Sequence, residues 1–198
     1  MKTQIITIFA ALVLPLGMTN LTYAAAKNAD DTFTVLTDIS AISKIEVRGN
    51  VELYISDGAA DQVKVYNKYY GESALVQSSN GVLRISSYKA DKLIVWVTAN
   101  DLRGVSAFDN AEVKSFGDIS KIEFDVDLHD HASAHLNLDA NSTHLNVFDD
   151  ARANLSGTID ECTFKCDHEQ NIDHKNLVVR RALTVPATPA KAFNLADL

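Results

Sequence analysis

Between Leu102 and Leu177 the chain returns carboxylates and imidazoles at a near-constant interval. Phe108-Asp109-Asn110-Ala111 recurs as His129-Asp130-His131-Ala132, then as Phe148-Asp149-Asp150-Ala151, and faintly as Asp167-His168-Glu169-Gln170, with starts 21, 19 and 19 residues apart. If each repeat stacks on a neighbour, Asp109, Asp130 and Asp149 form one column and Asn110, His131, Asp150 and Glu169 an outward row beside it. The aspartate column reads first as turn chemistry, because Asp tolerates left-handed backbone and its carboxylate caps nearby amides. The competing reading is a calcium-like ion among stacked oxygens. In the outward row, His129 and His131 are spaced to share a strand face and meet Asp150 from the adjacent coil. Two imidazoles and a carboxylate suit zinc or another transition metal, but an exposed polar row is the default on a solenoid, so no cofactor is expected and a divalent cation is the one alternative. Four of the six histidines, His129, His131, His135 and His144, cluster between residues 129 and 144.

Other constellations are weaker. Glu123, Asp125 and Asp127 share a parity and make an acidic face, read as solvated or as a surface for cations. Tyr66, Tyr69, Tyr70 and Trp96 offer ring faces for packing or for stacking on a sugar. Cys162 and Cys166, the only cysteines, lie four apart with the parity of Phe164. Along a strand their α-carbons would stand about 13 Å apart at about 3.3 Å per residue. A disulfide needs closer approach, so two buried thiols are expected, with a bent-strand bridge as the alternative. The Asp149-Asp150 pair evokes polysaccharide cleavage, but paired acids need a groove, and the chain is too short to add the long loops that build one. No nucleophile elbow, phosphate loop or H-E-x-x-H motif is present.

The elements that must position these groups are strands. Ile45-Glu46-Val47, Val51–Ile55, Val63–Tyr66, Val82–Ile85 and Leu93–Val97 alternate or cluster β-formers, separated by Arg48-Gly49-Asn50, Ser56-Asp57-Gly58 and Ser79-Asn80-Gly81 turns. Ile122–Leu128 alternates strictly. The repeat phase predicts two inward ladders, Val105/Val126/Leu145/Phe164 and Ala107/Leu128/Val147/Cys166. A period near 20 residues built from short strands predicts an all-β solenoid, a parallel β-helix with irregular first coils.

Residues 1–26 read as a secretory signal peptide: Lys2, an apolar stretch from Ile5 to Leu16, then Thr22-Tyr23-Ala24-Ala25-Ala26. The stretch is shorter than the roughly 20 residues a bilayer span needs. Removing it takes away Lys2 and no acid, moving the net charge from −8 to −9. That acidity excludes nucleic acid as a partner, and no later segment predicts a membrane span. Residues 27–185 form the expected domain, and residues 186–198, with Pro186 and Pro189, a loosely packed tail.

The opening Ile42-Ser43-Lys44-Ile45-Glu46-Val47-Arg48-Gly49-Asn50-Val51-Glu52-Leu53-Tyr54-Ile55, with Val63-Lys64-Val65, Asn80–Ile85 and the repeated coils, resembles the putative auto-transporter adhesin, head GIN domain family. The resemblance spans about Thr34 to Val185. It implies a right-handed, single-stranded β-helix, an envelope or surface location in a Bacteroidetes-like bacterium, and no established enzymatic activity. Two features depart from that pattern. Asp-x-Ala stands where such domains place Gly-Ser-Gly corners, and Leu177-Val178-Val179-Arg180-Arg181 replaces a glycine-rich ending. The expected function is an exported, non-catalytic binding or adhesion module whose partner is a glycan or an envelope or surface protein. The alternatives are a periplasmic metal-binding protein using the His/Asp row, and a polysaccharide-cleaving enzyme.

Overall fold

The computed structural model describes residues 33–36, 39, 41–66 and 74–186; the signal segment, Tyr69, Tyr70 and the tail after Pro186 lie outside them. Thirteen strands follow one another: β1 Thr34–Leu36, β2 Lys44–Gly49, β3 Val51–Asp57, β4 Gln62–Val65, β5 Ala74–Ser79, β6 Val82–Ser87 and β7 Leu93–Ala99, then β8 Gly104–Ala107, β9 Glu112–Ser115, β10 Ile119–Leu128, β11 Ser133–Val147, β12 Arg152–Cys166 and β13 Ile172–Pro186. Among the described residues the only helical element is a single 3-10 turn, Glu169–Asn171. The chain is all-β, as its patterning predicts.

The strands form two ladders that meet in the long C-terminal strands. One runs β5-β6-β2-β8-β10-β11, and the other β1-β4-β7-β3-β9-β11. β11 joins them because its start pairs β9 while its later part pairs β10. β12 and β13 then stack in parallel over the whole length of β11. Each pairing carries the sequence period: Asp125 lies opposite His144, and Leu145 opposite Phe164.

Both predicted inward ladders form. Ile45, Val105, Val126, Leu145 and Phe164 pair in succession, as do Val47, Ala107, Leu128, Val147 and Cys166. Their parity puts them in one continuous core with Phe124, Leu53, Val95 and Leu138. Burial of this single apolar seam drives the sheet to curl around it. Cys162 is buried and Cys166 only half-buried, and both are free thiols. Cys166 ends β12, and its partner on β13, Pro186, is the last described residue.

Two features differ from a simple parallel coil. First, the sheet is mixed: β1 with β4, β4 with β7 and β5 with β6 are antiparallel. Second, coil order is not chain order at the N-terminal end. β6 and β7 lie on the outer side of β2 and β3, whereas β8 and β9 stack on their inner side. Stacking each turn on the last therefore begins only after β8. The antiparallel β5–β6 pair follows from local turn chemistry. Asn80 (φ 52) and Gly81 (φ 80) are both left-handed, which makes the two-residue hairpin joining β5 to β6. β4 and β5 then run back along the outermost pair, so this end presents antiparallel strands rather than another parallel coil.

Candidate functional site

The corners between β8 and β9, β10 and β11, and β11 and β12 bring the repeated residues into register. Asp109, Asp130 and Asp149 have φ of 59, 58 and 57°, the left-handed region. Each carboxylate accepts the backbone N–H one coil before it. Gly49 N–H donates to Asp109 Oδ2 at 3.0 Å, Asp109 N–H to Asp130 Oδ2 at 3.0 Å, and Asp130 N–H to Asp149 Oδ2 at 3.1 Å. Asp149 N–H donates to Asp167 Oδ2 at 3.0 Å, so the faint fourth repeat joins the column through its side chain. The backbone differs there: the 3-10 turn Glu169–Asn171 replaces the left-handed corner. An amide at each carboxylate answers the repulsion that stacked acids would otherwise suffer.

Beside this column the corner rings stack outward. Phe108 and His129 lie 4.9 Å apart and 6° from parallel, and His129 and Phe148 5.2 Å apart. Arg48 caps one end at 3.7 Å from the Phe108 ring, and Lys165 the other at 5.4 Å from Phe148. His129 is thus held between phenylalanines. In the outward row, His131 Nε2 approaches Asp150 Oδ2 at 3.6 Å, with both side chains mostly in solvent. Asn110 and Glu169 are exposed at either end of that row.

The tightest set of ligand-type atoms lies elsewhere. Among the described residues, only Glu123, Asp125 and His144 bring three such atoms within 4.8 Å of one another. His144 Nδ1 stands 3.0 Å from Asp125 Oδ1 and 4.0 Å from Glu123 Oε1. The trio edges a shallow trough of about 400 Å³ floored by Asp127, Asn146, Thr163 and Lys165. Asp127 is fixed by Asn146 Nδ2, which donates at 2.5 Å, and by Ser106 Oγ, which donates at 3.2 Å. The signal for this trio was available: the offset that pairs Val126 with Leu145 also pairs Asp125 with His144. What draws attention away from it is the stronger motif at the corners.

The thiols are poor nucleophiles. Burial pushes Cys162 up to about 12. Burial, then Glu169 and Asp167, raises Cys166. Both shifts disfavour the thiolate.

Comparison with known proteins places the fold. The family model described as "Putative auto-transporter adhesin, head GIN domain" matches residues 41–191. The chain belongs to this family. Its head GIN domain is similar to a putative adhesin from Bacteroides fragilis, with a TM-score of 0.66 at 14% identity over 78% of each chain. A putative adhesin from Parabacteroides distasonis gives 0.57 at 15% identity over 79% of each chain. A putative lipid binding protein from the same species gives 0.53 at 12% identity over 80% of this chain and 79% of that one. At such identities the likeness carries the fold and nothing more. No curated protein matches this head GIN domain. No helix among its described residues is long and apolar enough to cross a membrane.

Proposed function

We propose that this head GIN domain is an exported, non-catalytic module that binds a surface molecule at the bacterial cell envelope, on a right-handed β-helical scaffold. The observation that carries the reading is the division of labour across each strand. One parity is spent on the core, while the other displays rows of polar and aromatic groups held rigid by parallel pairing. Membership of a family of putative adhesins and the signal-like first 26 residues support it. The corners at 108–111, 129–132 and 148–151 are four residues each, too short to wall a catalytic groove around Asp149 and Asp150. The test is cosedimentation of the purified mature chain with isolated envelopes and with host-cell surfaces. Saturable binding is expected, and absence of binding to every surface would overturn the reading.

A second reading, divalent-cation binding, is favoured by one observation, the Glu123–Asp125–His144 trio. Nitrogen and carboxylate ligands 3.0 to 4.0 Å apart have the spacing of neighbouring ligands on one ion with bonds of about 2.1 Å. On this reading the cation sits on the trough rather than on the His129–His131–Asp150 row. Zinc titration by calorimetry is expected to give one site that His144→Ala removes and His131→Ala leaves intact. The reverse pattern would return the site to the corner row.

A further inference from the structure

The two ends of the stack finish differently. At the N-terminal end the antiparallel strands β4 and β5 flank β7 and β6. At the other end β13 is the last strand among the described residues. Register carries two inward columns onto it. One runs Phe124, Thr143, Cys162, Ala182, and the other Val126, Leu145, Phe164, Thr184. Ala182 and Thr184 therefore hold core positions, yet both are exposed. Phe164 and Ile172, each 9% exposed, are the least covered residues of the core. Between these four, with Cys166 and His174, lies a pocket of about 190 Å³. The His174 ring leans on Phe164 at 5.9 Å and stands at the solvent side. The column that is large and apolar in every earlier coil thus ends on a small, uncovered side chain.

The chain itself leaves from this mouth. Pro186 pairs with Cys166 at its edge, and residues 187–198 follow. The family match runs on to residue 191, so the domain continues past the end of β13. The residue types that follow answer the pocket in register. A four-residue reversal over 187–190, which contains Pro189, sets the chain antiparallel to β13 with residue 191 level with 186. Phe193 then stands level with Thr184, and Leu195 with Ala182. Residues directly opposite on antiparallel neighbours share a face, so both apolar side chains point where the core is uncovered. Large residues meet the two small ones. The same count brings Asp197 level with Arg180, whose side chain is 75% exposed beside Asp160.

We propose that the C-terminal segment 187–198 docks on this end of the solenoid as its cap, with Phe193 and Leu195 seated in the pocket and Asp197 beside Arg180. The cap covers only the last part of β13, and the edge from Ile172 to Val179 stays open. A solenoid needs such a terminal cover, because an uncovered end coil offers its core and its strand edge to other chains. A second copy of this chain fits less well as the occupant, since a net charge of −8 opposes association of like molecules.

The test uses Cys166 as a reporter in the full mature chain, because it lines the pocket while Cys162 is fully buried. Its reaction with Ellman's reagent is followed under native conditions at one pH. Phe193→Asp combined with Leu195→Asp, both outside the core strands, should speed the reaction at least tenfold. Adding Cys166→Ser to that double variant should remove the fast phase. Phe193→Leu, which keeps an apolar side chain, should stay near the native rate. In the native chain, nuclear Overhauser contacts are expected between the Phe193 ring and the Thr184 methyl, and between Leu195 and Ala182. Equal rates in the native chain and the double variant, or absence of those contacts, would overturn the proposal. Thiol protection that rises with protein concentration, alongside a dimer in sedimentation, would give the mouth to a second copy instead. Protection that disappears after organic extraction would give it to a bound apolar molecule, and either result sinks the cap.

Discussion

At the residue scale, the repeated aspartates show how one side chain meets two demands. A left-handed corner penalises most residues with a Cβ, and Asp is among the few that visit it routinely. The same carboxylate then caps an amide one coil away, so conformation and capping reinforce each other. Glycine would satisfy only the first demand. Asp130→Ala is therefore expected to lose about 1–2 kcal/mol, combining a lost cap with left-handed strain, measured by urea denaturation. Asp130→Asn, which keeps the conformational tolerance and an acceptor oxygen, should lose clearly less. Equal loss in the two variants would count against the capping role. Gly49 meets a different constraint: its φ is 80° and a Cβ there would lie 2.1 Å from Ser87 O, so no side chain fits.

At the element scale, the β3–β7–β9 ladder is tied on its outer side by charge as well as by rings. The Lys114 hydrogen bond, then that from Tyr54, holds the Glu52 carboxyl below its ordinary value of 4.5. Its pairing thus adds stability that is full above about pH 4.5 and lost as pH falls through the depressed value. Lys114→Met should destabilise the chain at pH 7 and do so progressively less as pH drops towards 3. Urea midpoints of both proteins across that range check the sign. A difference that stayed constant with pH would show that Lys114 acts through packing alone.

At the scale of the whole molecule, the stack is asymmetric. One end carries the antiparallel strands β4, β1 and β5, whereas among the described residues β13 pairs only β12. β11, in contrast, has β9, β10 and β12 around it. Hydrogen exchange should follow this order, with β11 amides protected to near the global stability and β13 amides opening far sooner. Uniform protection across β10 to β13 would mean that the end coil is covered by something beyond the described strands. The out-of-order coil adds long-range pairings, such as Ile45 with Val105, that must form before β8 has a seat. High sequence separation of this kind slows folding.

Much of this was legible in the chain itself. Strict alternation in Ile122–Leu128 and the recurring Asp-x-Ala set the parity, the period and both inward ladders, because burial rewards one strand face and a left-handed corner admits few residues. The family resemblance was legible in the same patterning. The sequence could not show that β6 and β7 pass to the far side of β2 and β3, because local turn signals do not encode which edge a later strand will join. Nor could it show which outward residues meet. His129 and His131 share a motif, yet stacking put one between phenylalanines and left the other in solvent, while register set His144 beside Asp125 and Trp96 beside Tyr54 and Phe116. Parity follows from local chemistry, but neighbourhood across strands is settled only when the strands pack on a common core.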